Sequence, residues 1–85
     1  MAKIEWGEGA VSDLERLDRQ VRRRILRKLE WFAENFTRVV PEPLGGEFKG
    51  VYKLRVGSWR VIYTIEGDTI VIQGVGHRRE TYKLP

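Results

Sequence analysis

Lys53, Arg55 and Arg60 fall within a single stretch, YKLRVGSWRVIY, residues 52–63. Apolar residues alternate on both sides of Gly57-Ser58, a pair suited to a two-residue hairpin turn. With that turn, Arg55 stands directly opposite Arg60, and Lys53 opposite Ile62. Like charges placed opposite each other across a sheet repel, and no carboxylate is expected among them to neutralise the repulsion. Two readings compete. Either the cations form a solvated outer face, or they floor a site for an anion.

The elements that must position these residues follow from hydrophobic period. KIEW (3–6) reads as a short strand with Ile4 and Trp6 on one face. From Ala10 the period becomes helical, with Leu14 and Leu17, and Asp18 is placed to end this helix and cap the next. Val21, Ile25, Leu29 and Phe32, joined by Leu26, Ala33 and Phe36, define a longer second helix. PEPLGG (41–46) reads as a loop. Strands follow near 50–56, 59–66 and 69–76, the last two joined by Gly67-Asp68. This register sets Arg60 opposite Val75 and Ile62 opposite Gln73. One face then carries Tyr52, Leu54, Val56, Val61, Tyr63, Ile65, Ile70 and Ile72, and must be the one the helices cover. The other carries Lys53, Arg55, Arg60, Ile62, Thr64, Val71 and Gln73, with His77 near its end. The predicted architecture is α+β: β-αα-βββ, a two-helix hairpin on one face of a small antiparallel sheet, in a single domain over 1–85.

Composition narrows the function classes. The 85 residues carry sixteen Lys and Arg against twelve Asp and Glu, a net charge of +4 that favours an anionic partner. With no cysteine and one histidine, disulfides and thiolate zinc sites are excluded, and neither a metal centre nor a cofactor is expected. No run approaches the roughly 18 apolar residues of a membrane span, and the N-terminus has no apolar signal-peptide segment. The expectation is a soluble, cytoplasmic protein.

YKLRVGSWRVIY, followed after a turn by IVIQGVGHRRETYK and preceded by PLGGEFKG, resembles the RelE family of the RelE/ParE toxin superfamily. The resemblance spans essentially the whole chain. It implies a type II toxin–antitoxin toxin that cuts mRNA in the ribosomal A site. The ribose 2′-OH attacks the adjacent phosphate, so the chemistry needs a proton acceptor, a stabiliser of the phosphorane charge and a donor to the leaving oxygen. By position, the resemblance implies Lys53, Arg55, Arg60, Arg78 and Tyr82 as the catalytic set. A lysine crowded by Arg55, Arg60 and Arg78 sheds its proton more readily, which makes Lys53 the expected general base. Arg60 and Arg78 suit bidentate phosphate binding. Tyr82 suits base stacking or orientation of the 2′-OH. Arg55 departs from the family's lysine at that position, leaving the proton donor open. His77 is a candidate for that role on its own chemistry.

Arg23 and Arg27, within the run from Arg22 to Lys28, are either the exposed face of an amphipathic helix or contacts to RNA phosphate. His77 and Arg79 are further candidate RNA contacts. Trp31 reads as core or as part of a partner groove, Trp59 as exposed at its turn, and Trp6 as core. The expected partners are an acidic antitoxin with amphipathic helices, forming a heterocomplex, together with mRNA and the ribosome. The alternatives are a ParE-like inhibitor of DNA gyrase, or a catalytically weakened toxin homologue acting as a binding module.

Overall fold

The computed structural model describes residues 1–77. Strand β1 (Lys3–Trp6) runs into helix α1 (Glu8–Glu15), then α2 (Arg19–Glu34), a 3-10 turn (Phe36–Arg38), and strands β2 (Glu42–Pro43), β3 (Tyr52–Val56), β4 (Trp59–Glu66) and β5 (Thr69–His77). The sheet order is β1-β5-β4-β3-β2. β1 lies parallel to β5, whereas β2, β3, β4 and β5 pair antiparallel in succession. The sheet is therefore mixed rather than wholly antiparallel, because the helical hairpin acts as the crossover that carries the chain from β1 to the far side of the meander.

Local chemistry explains the helix ends. Gly7 caps α1 without a side chain, where a Cβ would stand 3.1 Å from the Ile72 carbonyl oxygen. Its amide donates to that same oxygen at 2.9 Å, so the glycine lets the helix start directly against β5. Asp18 caps α2, its Oδ1 accepting from the amides of Gln20 at 2.7 Å and Val21 at 3.4 Å. Replacing Asp18 with alanine should cost about 1 kcal/mol of stability, readable as a lower urea midpoint at constant slope. The second helix stops at Glu34, so Phe36 belongs to the 3-10 turn and not to the helix.

The core sits between α2 and the sheet. Ile25, Leu29 and Phe32 pack with Leu54, Val56, Val61, Tyr63, Ile70, Ile72 and Val75, and Ala10 joins from α1. The expected helix-covered face is thus the buried one. α1 is further pinned to β5 by Asp13, whose Oδ2 accepts from the Val75 amide at 3.0 Å.

Two further details differ from the sequence reading. Residues 41–46 are not all loop: Glu42 and Pro43 pair with Lys53 and Tyr52 as an edge strand. A residue preceding proline is driven into extended backbone, and the sequence PEP applies that restriction to both Val40 and Glu42. The other difference lies in β5. Pairing runs as expected from Glu66↔Thr69 to Tyr63↔Ile72, then shifts by one, so that Ile62 faces Gly74, Val61 faces Val75 and Arg60 faces Gly76. Gln73 is the extra residue of a β-bulge, and its Nε2 donates to Thr64 Oγ1 at 3.1 Å. A one-residue bulge exchanges the faces of everything beyond it. Val75 therefore enters the core, and His77 pairs with Trp59.

Candidate functional site

The hairpin register places the cations as the turn required. Arg55 is the Cα partner of Arg60, and Lys53 of Ile62. Lys53 and Arg60 are half-buried and Arg55 is exposed. Beside Arg60 and Ile62 the partner strand carries Gly76 and Gly74, and Ile62 is fully buried.

The expectation that no carboxylate tempers this cluster is corrected. Glu42, delivered by β2, receives a two-pronged contact from Arg55, with Nε donating to Oε1 at 3.0 Å and Nη2 to Oε2 at 2.8 Å. The Lys53 ammonium stands 3.6 Å from the same Oε2. The hydrogen bonds to Arg55 hold the Glu42 carboxyl below its ordinary value. Partial burial pulls the other way, and the Arg55 and Lys53 charges add to the lowering. The sign for stability follows: Glu42's contribution is present above the ordinary carboxylate range and is lost as pH falls through its lowered value. At this exposure solvent screens the pair, and its contribution to stability is small. The premise behind Lys53 as a general base, a lysine surrounded only by like charges, is lost with the arrival of Glu42.

Around the edge of β3 these residues line a cleft of about 250 Å³ with Lys28, Trp31, Val39, Val40, Leu54 and Tyr63. Burial pushes the Tyr63 hydroxyl up to about 12, with Tyr52 and Glu42 adding to the shift, so Tyr63 stays protonated and supplies shape rather than proton transfer. Trp31 is not core: it is 44% exposed, and the Lys28 ammonium sits 4.2 Å from its ring centroid. Trp59 is half-buried against the core rather than exposed, while Trp6 packs against the core as expected.

His77 is not on the Arg60 face. The bulge carries it to the helix side, edge-on to Trp59 with ring centroids 5.3 Å apart. Arg27 lines a surface cleft with Arg24 and Lys28, whereas Arg23 does not. Arg78, Arg79 and Tyr82 lie outside the described residues. Among the described residues no group of acidic or histidine side chains is placed to hold a metal ion, and no helix is long and apolar enough to cross a membrane. Sequence reasoning missed Glu42. The signal was the PEP tripeptide, which forces a lone carboxylate into an extended segment with strand geometry.

A helical hairpin crossing over a five-stranded sheet, with cations gathered on the β3–β4 hairpin, defines a small toxin of the RelE/ParE superfamily. The chain belongs to the family described as ParE toxin of type II toxin-antitoxin system, parDE, whose sequence model matches residues 4–82. Toxin RelE3 of Methanocaldococcus jannaschii is 27% identical over 84 residues, covering 94% of each chain. Among solved structures, the RelBE2 toxin–antitoxin complex of Mycobacterium tuberculosis superposes with a TM-score of 0.78 at 26% identity, over 91% of this chain and 98% of that one. The isolated RelE toxin of E. coli has the same fold, with a TM-score of 0.76 at 19% identity over 95% and 88% of the two chains.

Proposed function

We propose that this toxin is a metal-independent endoribonuclease that cuts mRNA in the ribosomal A site. The observation that carries the reading is Glu42. Its carboxylate, gripped by the Arg55 fork and approached by Lys53, is an oxyanion already held where a phosphate would bind. In the reaction the 2′-oxygen bonds to phosphorus as its proton leaves to a base, and the P–O5′ bond breaks. The products are a 2′,3′-cyclic phosphate and a 5′-hydroxyl. Arg60 and Arg78 stabilise the phosphorane charge, Arg55 holds the phosphate, and Tyr82 stacks on a base. Lys53 takes the 2′ proton once the phosphate has displaced Glu42, and the 5′-oxygen is protonated by Lys53 or by solvent. His77 has no part in this scheme, given its place beside Trp59. Arg23, Arg27 and Arg79 add phosphate contacts. An acidic antitoxin is the natural inhibitor, a partnership supported by the M. tuberculosis relative, whose structure is a toxin–antitoxin complex.

A second reading is favoured by the ParE description of the matching family: inhibition of DNA gyrase by binding. Arginine at position 55 and its bond to Glu42 also suit a third reading, a weakened homologue that survives as a binding module. Mapping mRNA ends by primer extension in a cell-free translation system separates them. Cuts within A-site codons support the nuclease. Intact mRNA with blocked gyrase supercoiling overturns it, and intact mRNA with normal supercoiling leaves the binding module.

Glu42 also makes a prediction. Glu42→Gln removes the internal competitor, so the toxin should bind a 2′-O-methyl RNA several-fold more tightly at pH 7. The slope of log K against log[salt] should steepen by about 0.7, the value of one newly available phosphate contact on a single strand. Fluorescence anisotropy across a salt series reads both. Weaker binding by the glutamine variant would mean that Glu42 supports the site instead of occupying it.

A further inference from the structure

On the side of Arg55 away from Lys53, α2 and the β3–β4 turn enclose an open cleft of about 410 Å³. Arg24, Arg27, Lys28 and Trp31 line one wall, at the i, i+3, i+4 and i+7 spacing of a single helical stripe. Arg55, Val56 and Gly57 form the other. Among the described residues no carboxylate lines this cleft. The arrangement is built rather than merely charged. Gly57 has φ +59°, and a Cβ there would stand 2.7 Å from Arg24 Nη2, so the guanidinium rests directly against the turn backbone. Lys28, Trp31 and Arg55 also line the smaller cleft that contains Lys53 and Glu42. The two clefts are therefore one continuous track around the edge of β3.

We propose that this α2–β3 cleft binds a second stretch of single-stranded RNA, continuing the strand away from the Lys53 site. Arg24 and Arg27 hold successive phosphates, and the exposed indole of Trp31 takes a base. An acidic peptide would satisfy the charges equally well. The arginine forks match phosphate oxygens in geometry as well as in charge, and an accessible aromatic ring among cations is the recurring platform for base stacking on single strands. Those two features favour RNA. The inference rests on the RNA reading above for its ligand, but not on cleavage.

The test is binding of a fluorescein-labelled 2′-O-methyl RNA of about a dozen nucleotides, which offers no nucleophile, to the full-length toxin and its variants. Arg24→Ala with Arg27→Ala should weaken binding at least tenfold and lower the salt slope by about 1.4, the equivalent of two phosphate contacts. Trp31→Ala should weaken binding roughly 5- to 100-fold and leave the slope unchanged, as loss of stacking requires. Arg16→Ala with Arg19→Ala removes the same charge elsewhere on the helical hairpin and should change affinity less than threefold. Thermal melts confirm that each variant is folded. Equal losses from the two arginine pairs would overturn the assignment. So would a glutamate-rich peptide of the same length that displaces the RNA at lower concentration than unlabelled RNA does, because the cleft would then belong to an acidic protein. A wild-type toxin that binds through Arg24 and Arg27 but never cuts mRNA leaves this inference standing and defeats the nuclease reading alone.

Discussion

Arg60→Ala should lower the rate of mRNA cleavage by roughly 10²- to 10³-fold, the usual loss when one preorganised donor to a developing oxyanion is removed. Arg60 projects from the middle of the sheet rather than from a loop, and it is half-buried. Both properties fix its position before the phosphate arrives, so little reorganisation is needed in the transition state. Stability should hardly change, since alanine removes the like-charge pairing with Arg55 at the same time as it removes the arginine's own contacts. Single-turnover cleavage on programmed ribosomes, beside a thermal melt, separates the two effects. Arg60→Lys should recover only part of the rate, because a point charge lacks the planar fork. If the alanine variant cuts within threefold of wild type, Arg60 does not serve the phosphorane and the catalytic set must be redrawn.

The contrast between Arg60 and Glu42 shows what the sequence made legible. Strict alternation on a tight turn determines which residues are opposite one another, and the Arg55–Arg60 pairing follows from that alone. The same alternation named the buried face from Leu54 to Ile72. It could not reveal the bulge at Gln73, because an extra residue leaves no period of its own when glycines follow it, and Gly74 and Gly76 carry no side chain to mark a face. His77 was misplaced for that reason. Glu42 was missed for another. It pairs with Arg55 across thirteen residues of chain, and edge strands as short as Glu42–Pro43 have too few residues to show any alternation. Trp31 lies in the helical period yet remains exposed, since a stripe cut from one side of a helix does not say where the sheet's edge ends and solvent begins.

The corrected site also changes how charge is handled on this surface. A cation cluster with no anion would be strained in the free toxin. Glu42 relieves that strain by standing in for the ligand, at the expense of competing with it. A glutamate is charged at neutral pH in any case, and the lowering of this carboxyl keeps it charged into more acid solution. On the nuclease reading proposed above, binding of RNA would be an exchange of one oxyanion for another. Affinity would then reflect the difference between the two, and the sensitivity to salt would count only the phosphate contacts that remain after Glu42 has taken its share.

Phe32→Ala should be the most damaging core substitution, lowering stability by about 3–5 kcal/mol. Phe32 is fully buried and meets two aromatic rings edge-on, Tyr63 at 5.1 Å and Phe36 at 5.7 Å between centroids. It therefore joins α2, the 3-10 turn and β4 at one point. Truncation opens a cavity that rigid strands on one side and a helix on the other cannot both close, and it also removes two ring contacts worth about 0.5–1.5 kcal/mol each, already counted in that loss. A chain of 85 residues has a total stability of only roughly 4–13 kcal/mol. The loss should lower the melting temperature by about 12–40 °C, at roughly 4–8 °C per kcal/mol for a domain of this size. Phe36, half-buried at the margin of the same cluster, should cost clearly less when changed to alanine. Circular dichroism melts of the two variants check the order. A loss below about 1 kcal/mol for Phe32→Ala would mean that the α2–sheet contact is looser than its burial implies. The comparison with Arg60→Ala then distinguishes the two ways this toxin can be silenced. Phe32→Ala should lose activity and melting temperature together, with a bound partner restoring part of the stability by mass action, whereas Arg60→Ala should lose activity while its melting temperature stays in place.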